Sequence, residues 1–193
     1  MKGLENNTYL ALYIISNVIA LLMLWASLKH YRISRLLFFL VFAWASWTNW
    51  NEAIIAPRFY LDYAGLTFSN WYRDFIQGWF SWHITLAVGF IATCQALIAT
   101  AMLLKGWIFK TAAIGAIIFL LAIAPLGVGS AFPCTIILAI AMWLLTRQKE
   151  IDYLWISGSK KNLAVRHFQK SISTDSVKQF EEQGHQGQIN AKI

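Results

Sequence analysis

Long runs without Asp, Glu, Lys or Arg alternate along the chain with short basic clusters. The first run, Asn6 to Leu28, contributes about 21 residues from Thr8 onward, enough at about 1.5 Å per residue to cross about 30 Å of hydrocarbon. A second run opens after Lys29, Arg32 and Arg35 as LLFFLVFAWASWTNW and is expected to stop at Ala56, because Pro57 pushes its predecessor out of helical geometry. A third, from about Trp82 to Leu104, ends at Lys105 and Gly106. The stretch from Thr111 to Thr146 has no formal charge, and as one helix it would be about 54 Å long, so it must fold back. PLGVGSAFP, between Pro125 and Pro133, supplies the turn formers for that reversal. The pattern therefore predicts an all-α, polytopic membrane helix bundle of five transmembrane helices, at about 8–28, 36–56, 82–104, 108–125 and 132–147. A cleavable signal sequence is the rival reading of the first run. Its length and the lack of a small-x-small site before Lys29 lead us to expect retention.

Charge tests the count independently, since Lys and Arg near span ends stay cytoplasmic. With five spans, thirteen of the sixteen basic residues fall on one side, and only Lys2, Arg58 and Arg73 on the other. The expected topology has its N-terminus outside and its C-terminus in the cytoplasm, in a plasma membrane of the bacterial inner-membrane type. Residues 151–193 then form a basic, polar cytoplasmic tail of disordered composition. The composition agrees: 58% apolar and 13% charged residues, against about 45–50% and about 25% in soluble domains, exclude a soluble enzyme domain. The net charge of +7 is explained by this cytoplasmic rim and tail meeting anionic headgroups, so nucleic-acid binding gains no support. Asn6-Asn7-Thr8 is a glycosylation sequon, which matters only in a eukaryotic secretory pathway.

Between Pro57 and Trp82 lies an outer loop far richer in aromatics than a spacer requires. At 100° per residue, Trp71, Tyr72, Phe75, Ile76, Trp79 and Phe80 share one half of a helical wheel, opposite Asn70, Arg73, Asp74, Gln77 and Gly78. An interfacial amphipathic helix over 70–80 is expected, either binding a ligand or merely capping the span ends. Polar groups at membrane depth are costly and therefore informative. Asn49 and Glu52, beside Trp50, lie toward the outer end of the second span; His83 and Gln95 lie in the third, and Asn17 and Thr135 in the first and fifth. Glu52 and His83 are placed to converge with Arg73 and Asp74 beneath the helix carrying Trp79. They form either interfacial ion pairs or a pocket for a polar headgroup. Gln95 is equally suited to packing across helices, and Ala92, Ala96 and Thr100 and then Ala112 and Ala116 offer small-residue faces.

Catalytic and metal motifs are absent from the sequence. Cys94 and Cys134 differ in depth and make no CxxC pair, and the four histidines have neither HExxH nor His-x-His spacing, so no metal site is expected.

Three segments carry a resemblance: RLLFFLVFAWASW from Arg35, LAVGFIATCQALIATAMLLKG from Leu86 to Gly106, and TAAIGAIIFLLAI leading into IILAIAMWLL. Over residues 35–145 the chain resembles the DoxX-like family of small integral membrane proteins, with a four-helix core to which the first span is an addition. Where family members often carry a Glu in the second core helix, this chain has Gln95, and the Gly and Lys pattern of the first core helix is missing around Ala43 to Trp50. The resemblance implies a membrane partner in redox- or quinone-linked complexes. The expected role is a non-catalytic membrane subunit or accessory protein of a redox-linked complex, meeting lipid, quinone or a protein partner at its outer face. The alternatives are a quinone-interacting oxidoreductase component using Glu52, Arg73, Asp74 and His83, and a small-molecule transporter, which the lack of an internal repeat disfavours.

Overall fold

A computed structural model describes residue 5, residues 7–148 and residues 153–154, and among these the regular elements are all helical. The helices are α1 (Asn7–Lys29), α2 (Tyr31–Ile55), α3 (Tyr63–Leu66), α4 (Asn70–Phe75), α5 (Ile84–Leu103), α6 (Gly106–Ile123) and α7 (Cys134–Thr146). Tight 3-10 turns occupy Pro57–Asp62 and Ala124–Ser130, and a π turn spans Ile76–Phe80. The tail expected over 151–193 lies outside the described residues, apart from Tyr153 and Leu154.

Three helical stretches are long and apolar enough to cross a membrane: Asn7–Lys29, Ile84–Leu103 and Gly106–Ser130. Their outer faces carry Leu, Ile and Trp side chains that have no protein neighbours to cover them, as expected of a membrane-embedded protein. The remaining two long elements differ from this type for physical reasons. α2 has 25 residues, but Asn49, Asn51 and Glu52 make its outer half polar. α7 has 13 residues, which reach only about 20 Å.

The five long helices form a ring. α2 packs on α5 and α1, α1 on α7, α7 on α6, and α6 on α5. The half of the ring that holds the start of α2 and the α5–α6 turn is filled solid by Phe38, Met102, Phe109, Ala113, Ala116 and Met142, all 0% exposed. The α2–α5 seam is the most intimate because α5 presents Gly89 and Ala92 there: a Cβ on Gly89 would lie 3.2 Å from the Trp50 ring, and Ser46 donates to the Ala92 carbonyl at 2.7 Å. The small-residue stripe thus runs through Gly89, Ala92 and Ala99; Thr100 is exposed instead.

The second helix begins at Tyr31, five residues before the expected Leu36, and its first turns bury a charge. Arg35 is 1% exposed, and its guanidinium donates to the carbonyls of Met102 (3.0 and 2.7 Å) and Leu104 (2.5 Å) while lying 4.6 Å from the Phe109 ring centre. These carbonyls are acceptors left open at the C-terminal end of α5, where the helix dipole is negative. Arg35 therefore buckles the α5–α6 turn, which Gly106 makes possible with φ +63°. Nearby, Ser27 donates to the Met23 carbonyl (2.9 Å), so the buried Ser34 hydroxyl donates to Ser27 (2.6 Å) and fastens α1 to α2.

The outer loop is more ordered than a single amphipathic helix. Two short helical segments precede residue 70, and the helix expected over 70–80 is divided: α4 ends at Phe75 and a π turn follows, with Gly78 outside helical geometry. Ile76 turns inward and is 5% exposed, whereas Trp71, Phe75 and Trp79 stack along the outer surface at successive centroid distances of 5.8 Å. The aromatic half of the wheel is thus split between the interior and the outside.

Candidate functional site

Above the solid half of the ring, the helices diverge around a chamber of about 640 Å³, covered by the segment 57–80. It falls within the roughly 300–1,000 Å³ of small-molecule sites. Its walls are mainly aromatic and aliphatic, among them Phe42, Trp44, Tyr63, Phe80 and Phe119.

The cover is strapped to the α6–α7 reversal. Thr67 donates to the Pro125 carbonyl at 2.6 Å, and the Tyr72 hydroxyl donates to the Ala122 carbonyl. Two glycines allow this contact. A Cβ on Gly129 would lie 2.3 Å from the Tyr63 ring, and Gly127, at φ +65°, sits where a Cβ would meet the Leu66 carbonyl oxygen at 2.8 Å.

A hydrogen-bonded line descends from this cover into the chamber. The Tyr60 hydroxyl donates to Asn49 Oδ1 (2.8 Å), and Asn49 Nδ2 donates to Gln95 Oε1 (2.7 Å). Asn49 and Gln95 belong to antiparallel helices and lie at different heights on them. They meet because side chains lean toward their own helix N-termini, one downward and the other upward. Gln95 is 4% exposed and eleven residues along α5, about 17 Å below its outer end. Burial, and then the nearby Glu52 carboxylate, push the phenol of Tyr60 far above the ordinary tyrosine range, and the same two causes raise Tyr63. Both stay neutral donors.

The opposite wall carries polar groups of a different kind. Asn17 Nδ2 donates to the Ala131 carbonyl (3.1 Å), which also accepts from the Cys134 backbone N–H (2.9 Å). Thr135 Oγ1 and Asn17 Oδ1 are buried with no hydrogen-bond partner among the described residues. Thr135 lines the chamber.

Of the residues singled out from sequence, Asn49 and Gln95 are joined in the chamber. Glu52 stands behind Tyr60 and Tyr63 and acts on both electrostatically, without lining the chamber itself. Arg73, Asp74 and His83 are not gathered there. Arg73 donates to the Ala64 carbonyl (3.3 Å) and Asn70 Oδ1 (3.1 Å). Asp74 is exposed, and His83 stacks on Trp79 at 4.7 Å with Nδ1 2.9 Å from the Trp79 carbonyl. Neither of the two anticipated ion pairs, Glu52 with Arg73 or Asp74 with His83, forms. Trp50 packs over Gly89 with its remaining surface exposed. Tyr60 and Tyr63 were hidden among loop aromatics, with no spacing to mark them; Thr135 and Asn17 were visible only as polar groups at depth. Cys94 and Cys134 are free thiols.

No family model matches the chain, and no curated protein or solved structure matches it.

Proposed function

We propose that this is a five-span membrane protein, with its N-terminus outside and its C-terminus in the cytoplasm of a bacterial inner membrane, that binds a lipid or quinone-like molecule in its outer half. It serves as a non-catalytic subunit or accessory protein of a membrane complex, with redox-linked complexes the expected setting from its DoxX-like character. One observation carries the reading: a covered chamber of about 640 Å³ combines apolar walls with the Tyr60–Asn49–Gln95 line. Such a combination of an apolar cavity and a few placed polar groups is what small-molecule sites require. A bundle built only for packing would fill the space.

The proposed orientation is supported by the clustering of basic residues at one end. Arg35 ties the start of α2 to the α5–α6 turn carrying Lys105, and Leu154 N–H donates to the Leu103 carbonyl (3.2 Å). The cover is at the other end of the ring. Five helices of adequate total height in a closed ring also support five crossings; α7, though short, is prolonged outward by the 124–133 segment.

Purification in mild detergent, followed by mass spectrometry of the organic extract and of the intact complex, tests the function. A stoichiometric lipid or quinone supports the binding role, and a stoichiometric protein partner supports the accessory role. Loss of both, in preparations that remain folded, rejects the proposal.

A further inference from the structure

The chamber's charge and its unused hydrogen-bonding groups narrow its ligand beyond "lipid or quinone-like", an inference that rests on the reading of the chamber as a binding site. Among the described residues, its lining holds no Lys, Arg or His, and its one formal charge is Asp62, exposed at the cover. A phosphate or carboxylate headgroup would meet no cation inside and would pass a carboxylate on entry. A charge carried to the depth of Gln95, near the middle of a hydrocarbon layer about 30 Å thick, would find no counter-charge in the walls.

What the walls do offer is neutral. Gln95 spends its carbonyl on Asn49, while its Nε2 has no partner among the described residues, and Gln95 faces the chamber. Thr135, 4% exposed, is also among the lining residues, and its hydroxyl is buried with no partner among the described residues. A buried polar group left unpaired is expensive, so the Gln95 Nε2 position favours a ligand atom that accepts a hydrogen bond.

We infer that the chamber takes an uncharged lipid whose head bears a hydroxyl or carbonyl oxygen, inserted head-first to mid-bilayer so that this oxygen accepts from Gln95 Nε2. The chain of the ligand lies among the aromatics above. Charged amphiphiles, including phospholipids, are excluded. The volume agrees, since it accommodates a head and part of one chain more readily than a two-chain phospholipid.

The test uses the full chain in phospholipid nanodiscs, with a long-chain alcohol carrying a diazirine beside its hydroxyl as photoprobe. Competitors of equal chain length end in an alcohol, a methyl ketone, a primary amine, a carboxylate or a phosphocholine. The expected result is labelling of peptides from α5 and α7, displaced by the alcohol or the ketone at concentrations about tenfold below those of the charged competitors. Gln95→Leu and Gln95→Met both remove the donor, and each should weaken the probe about tenfold. Equal displacement by all competitors, preference for the amine or an anion, or native affinity in both variants overturns the inference while leaving a chain-binding chamber intact. Failure to label any chamber peptide overturns the parent reading as well.

Discussion

Asn49 holds two hydrogen bonds at once, and its position shows how single residues act in this protein. Its amide accepts from Tyr60 and donates to Gln95, so Asn49→Leu leaves one donor and one acceptor stranded in an apolar setting. A loss of about 1–3 kcal/mol is expected, measured by thermal or denaturant unfolding in detergent, and the Asn49→Leu/Gln95→Leu double variant should lose less than the two singles together. Additivity would show that the line has no coupled energetics. Tyr60 and Tyr63 provide a pH signature. Their folded values are raised, by burial first and Glu52 second, so the stability they contribute is full below the unfolded tyrosine value of about 10 and is lost as pH climbs above it. Alkaline unfolding curves should therefore show declining stability above about pH 10, and Glu52→Gln should reduce that decline. The polarity of Asn49, Glu52 and Gln95 at membrane depth was legible in the sequence. Their partners were not, because Tyr60 reaches Asn49 from a loop whose aromatics show no distinguishing period.

At the scale of elements, helix positions followed from the runs of uncharged residues, and their ends shifted by five residues at most. Where the reading of the outer loop changed, backbone geometry was the cause. Gly78 leaves helical φ/ψ within the π turn, and this rotates Trp79 away from the face that buries Ile76. The cover depends on Gly129. Gly129→Ala sets a methyl group against the Tyr63 ring, at a cost of about 1–3 kcal/mol for overpacking, and hydrogen exchange should rise in 57–75 before it rises in the long helices. Uniform change along the chain would reject a separable cover. Arg35 has the corresponding role at the opposite end. Arg35→Gln strips the Met102 and Leu104 carbonyls of charged donors and should lower stability by more than the about 1.5–3 kcal/mol of one such bond, read as a fall in the unfolding temperature. The sequence marked Arg35 as a basic residue at a span's edge, with no indication that it is buried.

For the whole molecule, topology and occupancy are the properties to test. Reporter fusions after residues 30, 65, 107 and 129 should alternate cytoplasmic, external, cytoplasmic and external, and a cytoplasmic signal at 65 would reject the proposed orientation. That the chain is helical and embedded in a membrane was determined by its sequence alone, since the long uncharged runs leave the backbone no way to satisfy its polar groups in lipid except as helices. The bias of basic residues likewise needs no coordinates. Which helices become neighbours, and that they enclose a chamber instead of a filled core, was decided only by the tertiary structure. The physical reason is that lipid is as apolar as a leucine side chain, so hydrophobicity drives helices into the bilayer without choosing their partners. Close packing of Gly89 and Ala92, the Arg35 buckle and the hydrogen bonds from the cover make that choice, and each joins residues far apart in the chain.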